Sequence, residues 1–340
     1  MSWADDEEFL RLALREARRG AGRTAPNPLV GAVIVKAGEV LSTGWHRAAG
    51  HPHAEIEALR SLASPDLAVG ATVYITLEPC CTHGRTPPCT DALIASGVSR
   101  VVFGATDPNP AHTGRAVPIL ERAGIRVTHG VLADECTELN AAFNKWVTTG
   151  MPFVVAKAGM SLDGRLSRPP GEGQWLTSER SRADAMRLRA EADAIVIGAG
   201  TLRADNPRLT IRGLRGFEDK QPLRVVVTRR GHLPKESYIF SDEHRSRTLV
   251  YRGEPLRFVL RDLARRGCTN VLIEGGGEVL GAAFDARLVD RVRFYLAPLV
   301  CGGPNVIGGR GVATSAESLK LRNVSYRRCG ADLVVAGDVG

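Results

Sequence analysis

Residues 72–104 read TVYITLEPCCTHGRTPPCTDALIASGVSRVVFG, and this stretch decides the fold. Thr72 to Thr76 and Arg100 to Gly104 are short apolar and β-branched runs of strand length, and Pro88 to Ser96 between them is helical in pattern. Strands that alternate with helices make an α/β layer. Toward the N-terminus, Leu29 to Val35 and Val40 to Gly44 flank Lys36-Ala37-Gly38-Glu39 as a hairpin, and a helix begins around His53. Asp5 to Glu8 favour the start of a first helix, Arg15, Arg18 and Arg19 favour its end, and Gly20 closes it. Its buried stripe is Phe9, Leu10, Ala13, Leu14 and Ala17. Beyond residue 104 the pattern predicts a helix over 132–149. A second series of strands then follows at Phe153 to Ala158, Ala194 to Gly198, Arg224 to Thr228, Thr248 to Tyr251, Asn270 to Glu274 and Arg291 to Leu296. Helices are expected near 178–190 and 256–266, so the second half has a sheet of its own.

The 340 residues suit two domains, with the boundary near Gly150. With 44% hydrophobic and 24% charged residues, disorder and collagen are excluded. No apolar run reaches membrane-spanning length, and an acidic start is unlike a basic signal peptide, so a cytoplasmic location is expected. Residues 1–150 carry 14 Lys and Arg against 16 Asp and Glu, while the rest carry 31 against 21. The basic half suits phosphorylated small molecules; its arginines are scattered and only 5% of the chain is aromatic, which argues against nucleic-acid binding. Seven cysteines, an odd number, argue against a disulfide framework. Cys136, Cys268, Cys301 and Cys329 read as buried small hydrophobes. Cys80, Cys81 and Cys89 form the cluster that carries chemistry.

His53-Ala54-Glu55 lies at a helix start, Glu78-Pro79-Cys80 follows a strand, and Cys89 opens a helix after Pro87-Pro88. One imidazole and two thiolates are good zinc ligands, and three protein ligands leave a fourth position for water. Zinc lowers the pKa of that water toward about 7. Glu55, two residues from a ligand, is placed to carry protons, as hydrolytic deamination requires. A structural zinc knuckle is the other reading, with His83 as the fourth ligand. A nucleic-acid deaminase, a reductase with a structural zinc and a noncatalytic zinc-stabilised module also remain open. Ammonia release and NADPH oxidation separate these readings.

Pro26-Asn27-Pro28-x-Val30-Gly31, Gly44-x-His46, His53-Ala54-Glu55, Glu78-Pro79-Cys80-x-x-x-Gly84-x-x-Pro87-Pro88-Cys89 and Asp107-Pro108-Asn109-Pro110 resemble the bifunctional riboflavin-biosynthesis deaminase/reductase family. The resemblance implies an α/β chain with a zinc cytidine-deaminase-like three-layer domain over 1–148 and a dihydrofolate-reductase-like, NADPH-using domain over 149–340. It implies a phosphoribosylaminopyrimidine as substrate, and a homo-oligomer is compatible with it. His53, Cys80 and Cys89 become the ligands and Glu55 the catalytic carboxylate. Asn27, His46 and the loop His83 to Thr86 become substrate contacts. The chain departs from the family in having Cys81 where Ser is common and Gly114-Arg115-Ala116 in place of Gly-x-Gly.

Ile273-Glu274-Gly275-Gly276-Gly277-Glu278-Val279-Leu280 reads as strand, glycine turn and helix, without the spacing of the dinucleotide fingerprint. Glycines there let backbone approach a diphosphate. The resemblance continues in Lys157 to Arg165, Trp175 to Ser178, Leu188 to Ala190, Gly198 to Thr201 and Ala204 to Arg212. It implies that Gly159, Trp175, Thr201, Asp205 and the turn Gly276, Gly277, Glu278, Val279, Leu280, Gly281 and Ala282 line the NADPH site. Lys157, Arg189, Leu209, Arg212 and Glu274 would then meet substrate, and Arg189 and Arg212 suit a ribose phosphate because a guanidinium grips phosphate oxygens in a fork. Gly173, Asn206 and Thr228 replace the family's usual Ser, Asp and Asp. The loss of one hydroxyl contact costs about 0.5–1.5 kcal/mol, too little to abolish activity.

Overall fold

A computed structural model of the chain describes residues 3–82, 87–167, 175–229 and 231–340. The chain divides into two compact units, Met1–Gly150 and Met151–Gly340.

In the first unit, α1 (Trp3–Arg18) buries Leu10, Ala13, Leu14 and Ala17 on one stripe, as its helical period dictates. There follow β1 (Gly31–Lys36), β2 (Glu39–Trp45), α2 (Ala54–Arg60), β3 (Thr72–Leu77), α3 (Cys89–Ala95), β4 (Arg100–Ala105), α4 (Ala116–Arg122), β5 (Arg126–His129), α5 (Ala133–Leu139) and α6 (Ala141–Thr149). The sheet order is β2-β1-β3-β4-β5, with β1 antiparallel to both neighbours and β3, β4 and β5 parallel. Side chains on β1 alternate between two cores. Val33 and Val35 pack with Leu10, Leu14 and Cys136, whereas Ala32 and Ile34 pack with Ala54, Leu93 and Leu120. Helices therefore cover both faces, and the unit has three layers.

The single helix expected over 132–149 is two. Asn140 interrupts it because its side chain serves β1's approach segment instead: Oδ1 accepts from Leu29 N at 2.7 Å and Nδ2 donates to Leu29 O at 2.9 Å. Gly44 on β2 faces the backbone of α2, where a Cβ would stand 2.4 Å from both Ala54 O and Ala58 N. Strand and helix meet main chain to main chain, and this closeness fixes where α2 begins.

In the second unit come β6 (Phe153–Ser161), α7 (Glu179–Glu191), β7 (Ala194–Gly198), α8 (Ala199–Asp205), β8 (Leu223–Thr228), α9 (Tyr238–Ser241), β9 (Thr248–Arg252), α10 (Leu256–Arg265), β10 (Asn270–Ile273), α11 (Gly277–Asp285), β11 (Arg291–Ala297), β12 (Leu321–Cys329) and β13 (Asp332–Val339). The eight strands run in the order β12-β13-β11-β6-β10-β7-β8-β9, parallel from β11 to β9 and closed at the other edge by the antiparallel β12 and β13. Val154 and Ala156 pack with Leu260, Leu263 and Leu280 on one face, while Val155 packs with Ile195, Ile197, Leu202 and Leu209 on the other. The β12–β13 hairpin has no counterpart in the sequence expectation. Every residue of β12 except the last, Cys329, is exposed, so no buried alternation marks it. Cys136, Cys268 and Cys329 are buried as expected, Cys301 is half-buried, and all seven cysteines are free.

Candidate active sites

In the first unit the ends of β3, α2 and α3 converge. His53 is the extended residue just before α2, and its carbonyl accepts from Glu57 N at 3.0 Å, so the helix start holds its backbone. Cys80 lies three residues past β3, and Cys89 is the first residue of α3. His53 Nδ1 is 3.3 Å from Cys89 Sγ and 3.4 Å from Cys80 Sγ. The three donor atoms lie within 4.8 Å of one another and are the one such cluster among the described residues. Tetrahedral zinc with ordinary bond lengths separates a nitrogen and a sulfur ligand by about 3.5 Å, so the cluster has the size that zinc needs.

Electrostatics agree with that fit. Hydrogen bonds from the Cys89 thiol, from His53 and from the Cys89 N–H, the last at 3.3 Å, pull the Cys80 thiol down to about 4 against the opposing effect of burial. The Cys89 thiol is pushed up, first by its bond to Cys80 and then by burial. His53, bonded to Cys80, is raised to about 9. Without a cation the two sulfurs share one negative charge, whereas a dication between them would stabilise both as thiolates. Glu55 is buried, and its Oε2 has no hydrogen-bond partner. Burial pushes its carboxyl up. An orphaned carboxylate oxygen is costly unless a ligand or substrate proton meets it.

Asn27 and His46 lie beside this cluster, bonded to each other. The Asn27 amide donates to His46 Nε2 at 3.1 Å, and His46 Nδ1 donates to Pro52 O at 3.0 Å. Burial holds the His46 imidazole below its ordinary pKa, and its ring stands edge-on to that of His53, centroids 5.4 Å apart. His46 thus grips the carbonyl immediately before His53. The loop His83 to Thr86, with the expected fourth-ligand candidate His83, lies outside the described residues, as does Gly173.

In the second unit, Arg189, Glu274 and Lys157 meet. Arg189 Nε and Nη2 donate to the two Glu274 oxygens at 2.7 and 2.8 Å, and Nη1 donates to Thr210 O at 3.1 Å. Lys157 Nζ is 3.8 Å from Glu274 Oε2. The fork expected to grip phosphate is therefore engaged by a carboxylate, because burial leaves Arg189 no solvent to pair with. Arg212 is exposed, and its guanidinium is held below its ordinary pKa by partial burial and by Arg189 and Arg208 nearby. Leu209 is buried among apolar side chains of the core. Sequence reasoning missed Asp163, whose carboxylate accepts from Ser161 Oγ and from the N–H groups of Cys301 and Gly302, tying two loops together.

The expected NADPH residues divide by environment. Thr201 Oγ1 lies 3.1 Å from where a Gly276 Cβ would stand, so α8 and the glycine turn adjoin. Trp175 is exposed, with the Arg182 guanidinium 5.3 Å from its ring centroid, and is no core residue. Asp205 ends α8 and is exposed, and Gly159 on β6 faces Thr177. Glu278 is exposed, while Val279 and Ala282 are half-buried. Leu280 packs into the core. A Cβ on Gly277 would stand 2.4 Å from Asn305 O, and one on Gly281 would stand 2.3 Å from Gly308 C. These two glycines serve the packing of α11 against 305–309, a use that the strand–turn–helix pattern does not reveal.

The family model for the cytidine and deoxycytidylate deaminase zinc-binding region matches residues 3–105, and that for the RibD C-terminal domain matches residues 152–335. The riboflavin biosynthesis protein RibD of Aquifex aeolicus is 37% identical over 97% of both chains. That of Escherichia coli is 40% identical over 93% of both. Among solved structures, Acinetobacter baumannii RibD is 34% identical with a TM-score of 0.90 over the full length of both chains. The diaminohydroxyphosphoribosylaminopyrimidine deaminase/5-amino-6-(5-phosphoribosylamino)uracil reductase of Thermotoga maritima is also 34% identical, with a TM-score of 0.90 over 99% of both. The three-layer unit with its His53, Cys80 and Cys89 cluster and the reductase-like unit after it have the order and extent of these relatives, and the chain belongs to the RibD family of bifunctional riboflavin biosynthesis deaminase/reductases.

Proposed function

We propose that residues 1–148 deaminate and residues 149–340 reduce one phosphoribosylaminopyrimidine in two successive steps. The substrate is 2,5-diamino-6-(5-phosphoribosylamino)pyrimidin-4(3H)-one, and the intermediate is 5-amino-6-(5-phosphoribosylamino)uracil. The observation that carries the reading is the buried Glu55 Oε2 without a partner, two residues from His53 and beside Cys80 and Cys89.

His53, Cys80 and Cys89 hold zinc, which when bound supplies a water that ionises near neutral pH. Glu55 would take a proton from the attacking water and deliver it to the ring nitrogen as the C–O bond forms. It would then take the remaining proton of the added hydroxyl and pass it to the exocyclic amine, so that the C–N bond breaks, ammonia leaves and the oxygen becomes the ring carbonyl. Its burial suits both duties, since desolvation raises the carboxyl's pKa and so favours its protonated form more than in water. Asn27 and His46 orient the pyrimidine side of the pocket and brace Pro52.

In the second unit NADPH supplies the hydride that reduces the ring-opened ribose at C1. Gly159, Trp175, Thr201, Asp205 and the exposed and half-buried parts of the turn from Gly276 to Ala282 hold the cofactor. Arg189 locks the Glu274 carboxylate and the Thr210 carbonyl. Arg212, repelled by Arg189 and Arg208, gains most from an anion and takes the ribose phosphate. Lys157, beside Glu274, meets the sugar. The natural setting is the cytoplasm, with no nucleic-acid or membrane partner, and a second copy of the chain is compatible with it. Among the described residues no helix is long and apolar enough to cross a membrane. The purified full chain, given the pyrimidine and NADPH, is expected to release one ammonia and oxidise one NADPH per substrate. NADPH oxidation without ammonia, or neither, overturns the reading.

A further inference from the structure

Glu78 stands between β3 and Cys80, and the deaminase chemistry above does not use it. Its side chain is buried, and a buried carboxylate persists only where donors surround it. Oε2 accepts from Asp107 N at 3.3 Å and from Gly114 N at 2.9 Å, and Oε1 accepts from Ala116 N at 3.0 Å. These amides mark both ends of the loop that joins β4 to α4. The loop is also braced from within, since Asp107 Oδ1 accepts from Asn109 N at 2.9 Å and Thr113 Oγ1 donates to Asp107 O at 2.7 Å. It leans on the residues after Cys80: His112 Nδ1 is 3.5 Å from Thr82 Oγ1 and 3.9 Å from Cys81 Sγ. One carboxylate thereby ties the segment carrying a zinc ligand to the loop beside it.

We infer that Glu78 is a positioning residue of the deaminase, clamping the 107–116 loop at both ends against the Cys80 segment so that the loop forms a wall of the pyrimidine subsite. The inference rests on the deaminase reading. A carboxylate is suited to this place because it only accepts, and it meets three donors. An amide of the same shape turns one of its own donors toward a backbone N–H and forfeits the charge that strengthens the bonds.

The test is Glu78→Gln in the full chain. Amide hydrogen exchange at Gly114 and Ala116 is expected to accelerate about tenfold or more, with exchange in β3 and β4 unchanged. The KM for the pyrimidine should rise about tenfold with kcat less affected, zinc content unchanged, and reduction of the deaminated intermediate as in the parent chain. Parental exchange at the two amides overturns the clamp. Faster exchange with an unchanged KM overturns the subsite wall, and loss of zinc makes Glu78 a support of the metal site instead. Should the Gln variant not fold, Glu78→Asp, which keeps the charge but is one methylene short of reaching both ends, gives the same readouts. Failure of both to fold assigns Glu78 to the core and ends the proposal. No ammonia release from the parent chain would instead sink the deaminase reading, and exchange at the two amides would still judge the clamp.

Discussion

At the scale of single residues, Glu55 has a buried carboxylate oxygen without a hydrogen-bond partner, an arrangement that costs the fold stability. Glu55→Gln removes the proposed proton carrier while keeping the shape. Ammonia release is expected to fall by about 10²–10⁴-fold, as for loss of a general acid–base group, with zinc content and melting temperature not lowered; metal analysis and calorimetry beside the ammonia assay check this. Glu274 is the opposite case. Burial by itself raises its pKa, but Arg189 and Lys157 outweigh burial and hold the carboxyl at about 2, against an ordinary 4.5. Because the folded value is the lower one, the charged form stabilises the fold fully above pH 4.5, and that stabilisation drains away as pH falls toward 2. Glu274→Gln leaves Arg189 buried and uncompensated, at a cost of about 3–5 kcal/mol near neutral pH. In calorimetry across the acid range, the second unit of the variant should lose less stability between those two pH values than the parent. Equal slopes in the two proteins would remove Glu274 from the acid response.

At the scale of elements, the placement of the candidate metal ligands depends on where helices start. Gly44→Ala places a methyl 2.4 Å from Ala54 O and Ala58 N, so α2 must retreat from β2 and carry His53 with it. The expected cost is about 1–3 kcal/mol of stability from overpacking, together with weaker zinc retention in a chelator competition. Unchanged retention would mean that the start of α2 is held by something other than this contact. The same element-level contacts explain what was legible in the sequence. The convergence of His53, Cys80 and Cys89 could be read because zinc accepts few ligand types and each of the three sits at a helix start or after a strand. The break at Asn140 could not, because it is made by bonds to Leu29, far away in sequence. Nor could the pairing of Arg189 with Glu274, which no local spacing encodes and which takes up the fork that the family resemblance implies for phosphate. The β12–β13 hairpin escaped because an exposed strand shows no alternation, and Gly277 and Gly281 read as a ligand turn when their missing side chains admit the 305–309 backbone.

At the scale of the whole molecule, two units with separate sheets and separate cores divide one reaction sequence. The first brings together His53, Cys80 and Cys89, whose donor atoms lie within 4.8 Å of one another and make a donor set that suits zinc. The second has no such cluster among the described residues. Zinc bound at this cluster would stabilise the first unit, because a ligand that binds only the folded form stabilises that form by mass action. Removing zinc from the full chain with a chelator is expected to lower the unfolding temperature of the first unit and abolish ammonia release. NADPH oxidation with the already deaminated intermediate should stay at its original rate. Restoring zinc should return ammonia release if the cysteines have been kept reduced, since both thiols are then available as ligands. If chelation also slowed the reduction of the supplied intermediate, the two chemistries would not be separable along the chain, and the division of labour between residues 1–148 and 149–340 would have to be given up.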